Sequence, residues 1–321
     1  MRSARDLIVE SEFAKDVRDG LRADQKRIPS RYFYDDIGSA LFDTITLLPE
    51  YGLTRAEERL FRLHADEIAQ SMVPLSAVVE LGSGSGRKTQ QILEAIGRLQ
   101  PAISYFAIDV SASSLQSCCE HVGSVRGVHA RGIQASYLEG LARVRHQTLR
   151  TGRLLVLFLG STIGNFSDDE MLSFLHDVRG QLRLGDAFLL GTDLVKPKPA
   201  LLAAYDDPTG VTSAFNLNLL ARINRELGGN FQLKKFEHQA RWVADKSRIE
   251  MHLISRERQS VTIPGAKCEA SFQAGESIWT EASRKFVGSD LERAATMSGF
   301  AVARQWIDSE WGFAENLWFA N

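Results

Sequence analysis

The sequence predicts an α/β fold, a parallel sheet flanked by helices with a second, smaller α+β region, and three observations carry the prediction. Between about residue 56 and residue 195, short apolar runs alternate with amphipathic stretches, the signature of repeated strand-helix units. A glycine-rich turn, "VVELGSGSGRKT" at 78–89, closes the first of those runs and opens a helix. Beyond Asp193 the rhythm changes, with three prolines in "VKPKPALLAAYDDPTGVTSAF".

Taken in order, "SAVVEL", "SYFAID", "GVHARGI", "RLLVLFLG" and "DAFLLGTDL" read as five successive strands. The best-defined helix begins at "FSDDEMLSFLHDVRGQL", where Ser167 and Glu170 make an S-x-x-E capping box and Leu175, Val178 and Leu182 share one face. Between about 240 and 285, alternating runs such as "RIEMHLIS" and "SVTIPG" read as strands of the separate unit. The last stretch, "FAVARQWIDSEWGFAENLWFA", reads as two strands joined by a turn and returning to the edge of the first sheet. The first domain is then discontinuous.

Composition narrows the partners. With 321 residues, 44% hydrophobic and 24% charged, the chain has the balance of a soluble globular protein of about two domains. A formal net charge of -2 provides no cationic field for phosphate backbones, which disfavours nucleic acid and favours small substrates. Cys118, Cys119 and Cys268 form no C-x-x-C pair, and no Cys/His metal spacing occurs, so a reducing cytoplasm and no metal are expected. The opening "MRSARDLIVESEF" lacks the apolar core of a signal peptide, and "LLVLFLG" and "AFLLG" are strand-sized, so no membrane anchor is expected.

Spacing separates three chemistries for the glycine turn. A phosphate-gripping P-loop needs a glycine directly before the Lys-Ser/Thr pair, but Arg87 precedes Lys88 and Thr89. A dinucleotide G-x-G-x-x-G needs its third glycine at 87 or 89, where Arg87 and Thr89 stand. What remains is E-x-G-x-G-x-G, with Glu80, Gly82, Gly84 and Gly86. This pattern resembles the first motif of the class I methyltransferases, which bind S-adenosylmethionine, a cofactor with no phosphate to cradle. "YFAIDVS" then puts Asp109 at the end of the next apolar run, where that fold places an acid against the ribose hydroxyls. Singly, the glycines also read as an ordinary strand-helix turn and Asp109 as a helix cap; their combined spacing supports the cofactor. The resemblance assigns Glu80, Gly82, Ser83, Gly84, Gly86, Lys88 and Asp109 to it.

A longer resemblance runs almost end to end. "RYFYDDIGSALFDTITLLPEY" at 31–51, "FLGSTIGNF" at 158–166, "GTDLVK" at 191–196, "AYDDPTGVTSAFN" at 204–216, "RIEMHL" at 248–253 and "TEASRKF" at 280–286 resemble the histidine-specific methyltransferases of ergothioneine biosynthesis. That family converts histidine to its Nα-trimethylated betaine. The resemblance implies a class I methyltransferase Rossmann-like sheet domain, residues 56–195 and 287–321, and a smaller α+β substrate-binding domain, residues 1–55 and 196–286. It places Asn165 and Tyr205 on the substrate α-carboxylate, Tyr34 and the backbone of Gly160 around the α-amine, and Tyr51, Glu281 and Ser283 on the imidazole, with Met251 beside that ring. A monomer acting on a free amino acid is expected.

The sequence departs from the family at one place. Where Gly-Asp-Phe is common after the third strand, this chain reads "IQASYLEGL", leaving Ser136 and Tyr137, beside Ala135, for the adenine. A neutral serine holds the adenine amine less strongly than a carboxylate, so weaker cofactor binding is expected. Rival readings are a relative acting on tryptophan or a derivative, a non-catalytic cofactor binder, and a nicotinamide dehydrogenase. The third lacks its third glycine. Tyr34 and water remain alternatives for taking the amine proton.

Overall fold

The computed structural model describes residues 11–147 and 152–321. Three helices come first, α1 (Glu12–Arg22), α2 (Asp36–Ile45) and α3 (Leu53–Met72). Strand-helix units follow: β1 (Leu75–Leu81), α4 (Arg87–Leu99), β2 (Ile103–Asp109), α5 (Ala112–Gly123), β3 (Val128–Gln134), α6 (Tyr137–Gln147), β4 (Arg153–Phe158), α7 (Asp168–Gln181) and β5 (Ala187–Asp193). Then come α8 (Lys198–Tyr205), α9 (Val211–Leu227) and five strands, β6 (Phe236–Val243), β7 (Arg248–Ser255), β8 (Gln259–Ile263), β9 (Cys268–Phe272) and β10 (Ser277–Arg284). Helix α10 (Gly288–Met297) leads into β11 (Phe300–Asp308) and β12 (Phe313–Ala320).

The main sheet runs β3-β2-β1-β4-β5-β12-β11. Its five strand-helix strands are mutually parallel, and β12 joins antiparallel to β5, with β11 antiparallel to β12 at the edge. The strand order reverses between β1 and β4, the place where an open α/β sheet leaves a crevice beyond its strand ends. Helices cover both faces, so the central strands are near-continuous apolar runs: every residue of β5 is buried. Val79, Val156, Phe158, Phe188 and Trp318 belong to one packed core.

Two local departures have physical reasons. Strand β4 stops at Phe158, short of the expected Gly160, because Gly160 (φ 70°) and Ser161 (φ 58°) turn the chain left-handed. Helix α7 has both bonds of the expected capping box, but it ends at Gln181, and Leu182 is buried just past its end.

The chain divides into two compact units, Met1–Ile45 with Leu202–Trp242 and Ile249–Ala282, and Thr46–Leu201 with Val243–Arg248 and Ser283–Asn321. The first is organised on α9, where Phe215 stacks on Phe33 with ring centres 4.5 Å apart. Asp35 accepts from the Gly38 amide at 2.7 Å and pairs with Asn218 and Arg225 of α9. Strands β10, β7 and β6 form a three-stranded sheet, and β8 and β9 an antiparallel pair. Among the described residues, no helix is long and apolar enough to cross a membrane.

Candidate cofactor and substrate residues

The glycine turn is built on backbone conformations that side chains disfavour. Gly82, Gly84 and Gly86 all have positive φ, 77°, 49° and 71°. A Cβ on Gly86 would stand 2.8 Å from Cys118 Sγ and 2.9 Å from Val122, whereas one on Gly84 would meet nothing within 4 Å. Gly86 therefore closes the turn onto α5, and Gly84 presents bare backbone to open space. The amide of Gly82 bonds to the Ile108 carbonyl at 2.8 Å, tying the turn to β2. Asp109, at the end of β2, accepts from the amides of Gly84 (3.3 Å) and Ser111 (2.9 Å). Burial raises its pKa while those amide bonds oppose the rise. This open backbone with a carboxylate folded beside it fits an adenosyl group with ribose hydroxyls to donate.

Beneath the turn, Glu80 is buried and accepts from Thr89 Oγ1 at 2.7 Å and from the Tyr105 hydroxyl. Burial pushes its pKa up to about 7, against the pull of the two hydroxyls and Lys88. Ser83 is also buried. The Cys118 thiol is pushed up to about 12, mainly by burial, and is inert as a nucleophile. Tyr137 packs edge-on against Phe158, and its ring lies 3.4 Å from where a Gly82 Cβ would stand. Ser136 donates to Glu139 Oε2 at 2.9 Å, and its own amide bonds to the same carboxylate. This second S-x-x-E cap, in "SYLE", is readable in the sequence and explains a serine at that position.

The turn after β4 is held by side chains from far along the chain. The Gly160 amide donates to Glu57 Oε1 at 2.6 Å, and Glu57 Oε2 is ion-paired with Lys88. Ser161 Oγ accepts from the Asp193 amide at 2.9 Å. Gly164 has a Cβ position 2.8 Å from the Arg284 carbonyl, so Asn165 lies on a turn pressed against the end of β10, next to Ser283. Ser283 is buried, and its Oγ accepts from Lys285 at 2.9 Å. Lys285 is itself buried on Asp193 Oδ2 at 2.9 Å, and the Trp311 indole donates to Asp193 Oδ1 at 3.1 Å. Trp311 also packs under Gly52, beside Tyr51, where a Cβ would stand 2.2 Å from its ring. Tyr51, Ser283 and the Asn165 turn are thus tied into one buried network. Arg284 pairs with Asp168 and Asp290.

The other four assigned residues belong to the first unit. Tyr34 meets Phe215 edge-on at 5.9 Å. The next residue, Asn216, donates from Nδ2 to His238 Nδ1 (2.8 Å) and to the His252 carbonyl (3.2 Å). With Nδ1 accepting, the His238 proton is on Nε2, which donates to the Tyr205 carbonyl at 2.8 Å. Burial lowers the His238 pKa, favouring the neutral ring that this bonding requires. Met251, beside His252 on β7, is buried, and its carbonyl accepts from Thr280 Oγ1 at 3.0 Å, next to Glu281 on β10. The His252 ring is on the other face of β7, bonded to Glu250.

Sequence reasoning missed Glu57, Glu315, Asp193 and Lys285, all buried. A signal for the first was present: Glu57 shares the inward stripe of α3 with Leu53, Leu60 and Phe61.

The sheet order and the glycine turn are those of a Rossmann-like, class I methyltransferase. The family described as histidine-specific methyltransferase, SAM-dependent, matches residues 13–320, and the chain belongs to that family. It is 40% identical over 304 residues to the histidine N-alpha-methyltransferase of Mycolicibacterium smegmatis, covering 94% of this chain and 93% of the relative. It is 41% identical over 308 residues to the Mycobacterium tuberculosis protein of the same name, with the same coverages of 94% and 93%. Magnesium protoporphyrin IX methyltransferase from Synechocystis, solved with bound SAH, superposes with a TM-score of 0.46 at 10% identity, covering 91% of this chain and 98% of that one. The chain is an S-adenosylmethionine-dependent methyltransferase.

Proposed function

We propose that the protein methylates the α-amine of L-histidine three times, giving Nα-trimethylhistidine (hercynine), an early step of ergothioneine biosynthesis, as a cytoplasmic monomer. The observation that carries this reading is the family match along residues 13–320. Asp109 takes the ribose hydroxyls; Glu80, the turn Gly82–Gly86 and Lys88 take the rest of the adenosylmethionine; Ser136 and Tyr137 take the adenine. Ser136 spends its proton on Glu139, so its oxygen is left to accept from the adenine amine. Asn165 and Tyr205 hold the histidine carboxylate, and Tyr51, Glu281, Ser283 and Met251 surround the imidazole. An analogue without ring nitrogens would strand those polar groups, a mismatch that rejects it by roughly 10⁴-fold or more.

Bound S-adenosylmethionine supplies a methyl group on a sulfonium that departs neutral, so the residues here have positioning as their main task. Clamping both ends of histidine aligns the amine for in-line attack, an effect of up to about 7–11 kcal/mol in ideal cases. Tyr34 and Gly160 face the amine. With its amide committed to Glu57, Gly160 has its carbonyl to offer an amine N–H. Each methyl removes an N–H donor, so anchoring by carboxylate and imidazole keeps the intermediates bound for the next transfer.

The test is mass spectrometry of purified protein with S-adenosylmethionine and histidine, tryptophan or no acceptor. Mono-, di- and trimethylated histidine appearing in sequence is expected; methylation of tryptophan alone refutes the substrate. Glu281→Ala weakens histidine binding far more than cofactor binding, and equal histidine affinity in mutant and wild type removes Glu281 from the site.

A further inference from the structure

A cluster of carboxyl groups lies buried under the turn that follows β4. Glu57 has a fully buried side chain, with the Gly160 amide 2.6 Å from one oxygen and the Lys88 ammonium on the other. Glu315 is equally buried and sits opposite Gly191 in the β12–β5 ladder. A Cβ on Gly191 would stand 2.6 Å from Glu57 Oε1 and 3.1 Å from Glu315 Oε1, so the two carboxyls converge over one bare glycine. Lys88 is the ammonium that faces the cluster from α4, and Glu80 faces it from β1. Glu57 accepts from an amide and an ammonium, whereas among the described residues neither Glu315 oxygen has a hydrogen-bond partner. Burial and then the neighbouring Glu57 drive the Glu315 pKa upward, toward the neutral carboxyl.

We propose that Glu57 is a positioning residue for methyl transfer: as the one carboxyl of the cluster bonded to both, it holds the Gly160 peptide and the Lys88 ammonium in one fixed geometry. It touches neither reactant and acts through two groups that do. The inference rests on the reading above that Gly160 faces the α-amine and Lys88 the cofactor.

The experiment compares full-length Glu57→Gln, Glu315→Gln and Lys88→Met with wild type, reading S-adenosylmethionine affinity by calorimetry, kcat and KM for histidine, and melting temperature. Glu57→Gln loses the charge that Lys88 and Gly160 share, and kcat/KM falls about tenfold or more, the scale of one charge-assisted hydrogen bond. Glu315→Gln leaves both of those contacts in place and loses several-fold less. Equal losses in the two variants overturn the proposal, as does Glu57→Gln with wild-type kcat and cofactor affinity. A lowered melting temperature with both constants unmoved would mark a purely structural role and also overturns it. Lys88→Met tests the reading beneath: undiminished cofactor affinity there removes that reading and the proposal together, whereas a loss in Lys88→Met with none in Glu57→Gln removes the proposal alone. If Glu57→Gln does not fold, Glu57→Asp keeps the charge but withdraws it by one methylene. Reduced kcat is expected, and wild-type kcat is fatal to the idea.

Discussion

The turns after β1 and β4 leave neighbouring parallel strands on either side of the point where the strand order reverses, and each lies over a buried glutamate. The first is shaped locally: three glycines with positive φ, one backbone bond to β2, and Asp109 folded back onto the Gly84 amide. The second is shaped from a distance, with Glu57 of α3 on the Gly160 amide, Asp193 of β5 on Ser161, and the end of β10 against Gly164. Their glutamates differ in the same way. Glu80 is met by two hydroxyls and its pKa is driven up to about 7, while Glu57 is met directly by an ammonium. Equal burial thus gives unlike electrostatics when the partners differ.

The largest effect is expected where the second turn depends on buried charge. Lys285→Met removes one of two lysines from buried Asp193 and a donor from Ser283, and is expected to destabilise by about 3 kcal/mol or more in chemical denaturation. A loss under about 1 kcal/mol would show that this network is ornamental to stability. In the first turn, Gly86→Ala combines left-handed strain with a clash on Cys118 and Val122, for about 2–4 kcal/mol, together with loss of cofactor binding by calorimetry.

Next comes a pH effect. Glu80 is protonated more readily in the fold than in the unfolded chain, so its stabilising contribution is full below about pH 4.5 and is lost as pH rises through about 7. The stability of Glu80→Gln relative to wild type should therefore rise across that window, by at most about 1.4 kcal/mol per pH unit. Parallel melting curves at pH 5 and pH 8 would contradict the assignment. The smallest effect belongs to Gly84→Ala, which meets open space and bears only the strain of its φ, about 1 kcal/mol. If Gly84→Ala proves as damaging as Gly86→Ala, the distinction between a packed and an open glycine fails.

Much of the first turn is legible in the sequence. Strand, E-x-G-x-G-x-G and Asp109 are local features whose spacing follows from covalent geometry and sterics. The terminal strand pair was legible for a similar reason, since "FAVARQWID" and "FAENLWFA" are strand-length runs on either side of a short turn and need a sheet edge to join. The "SYLE" cap is equally local, its serine and glutamate three positions apart. Less was visible of the second turn. "FLGSTIGNF" contains no hint that its glycine amide is held by a glutamate 103 positions earlier.

By itself, the sequence determined the alternation of strands and helices, the glycine conformations of the first turn and the family, because those properties reside in neighbouring residues or in runs of them. Only the tertiary structure decided that Asn216 links His238 under Tyr205 to the backbone beside Met251, that Lys285 meets Ser283 and Asp193, and that Glu57 and Glu315 converge over Gly191. A charge or amide in an apolar stripe announces that it needs a partner, since leaving it bare in a low-dielectric interior is prohibitive. Which partner answers depends on how distant segments pack, and that information exists only once the chain has folded.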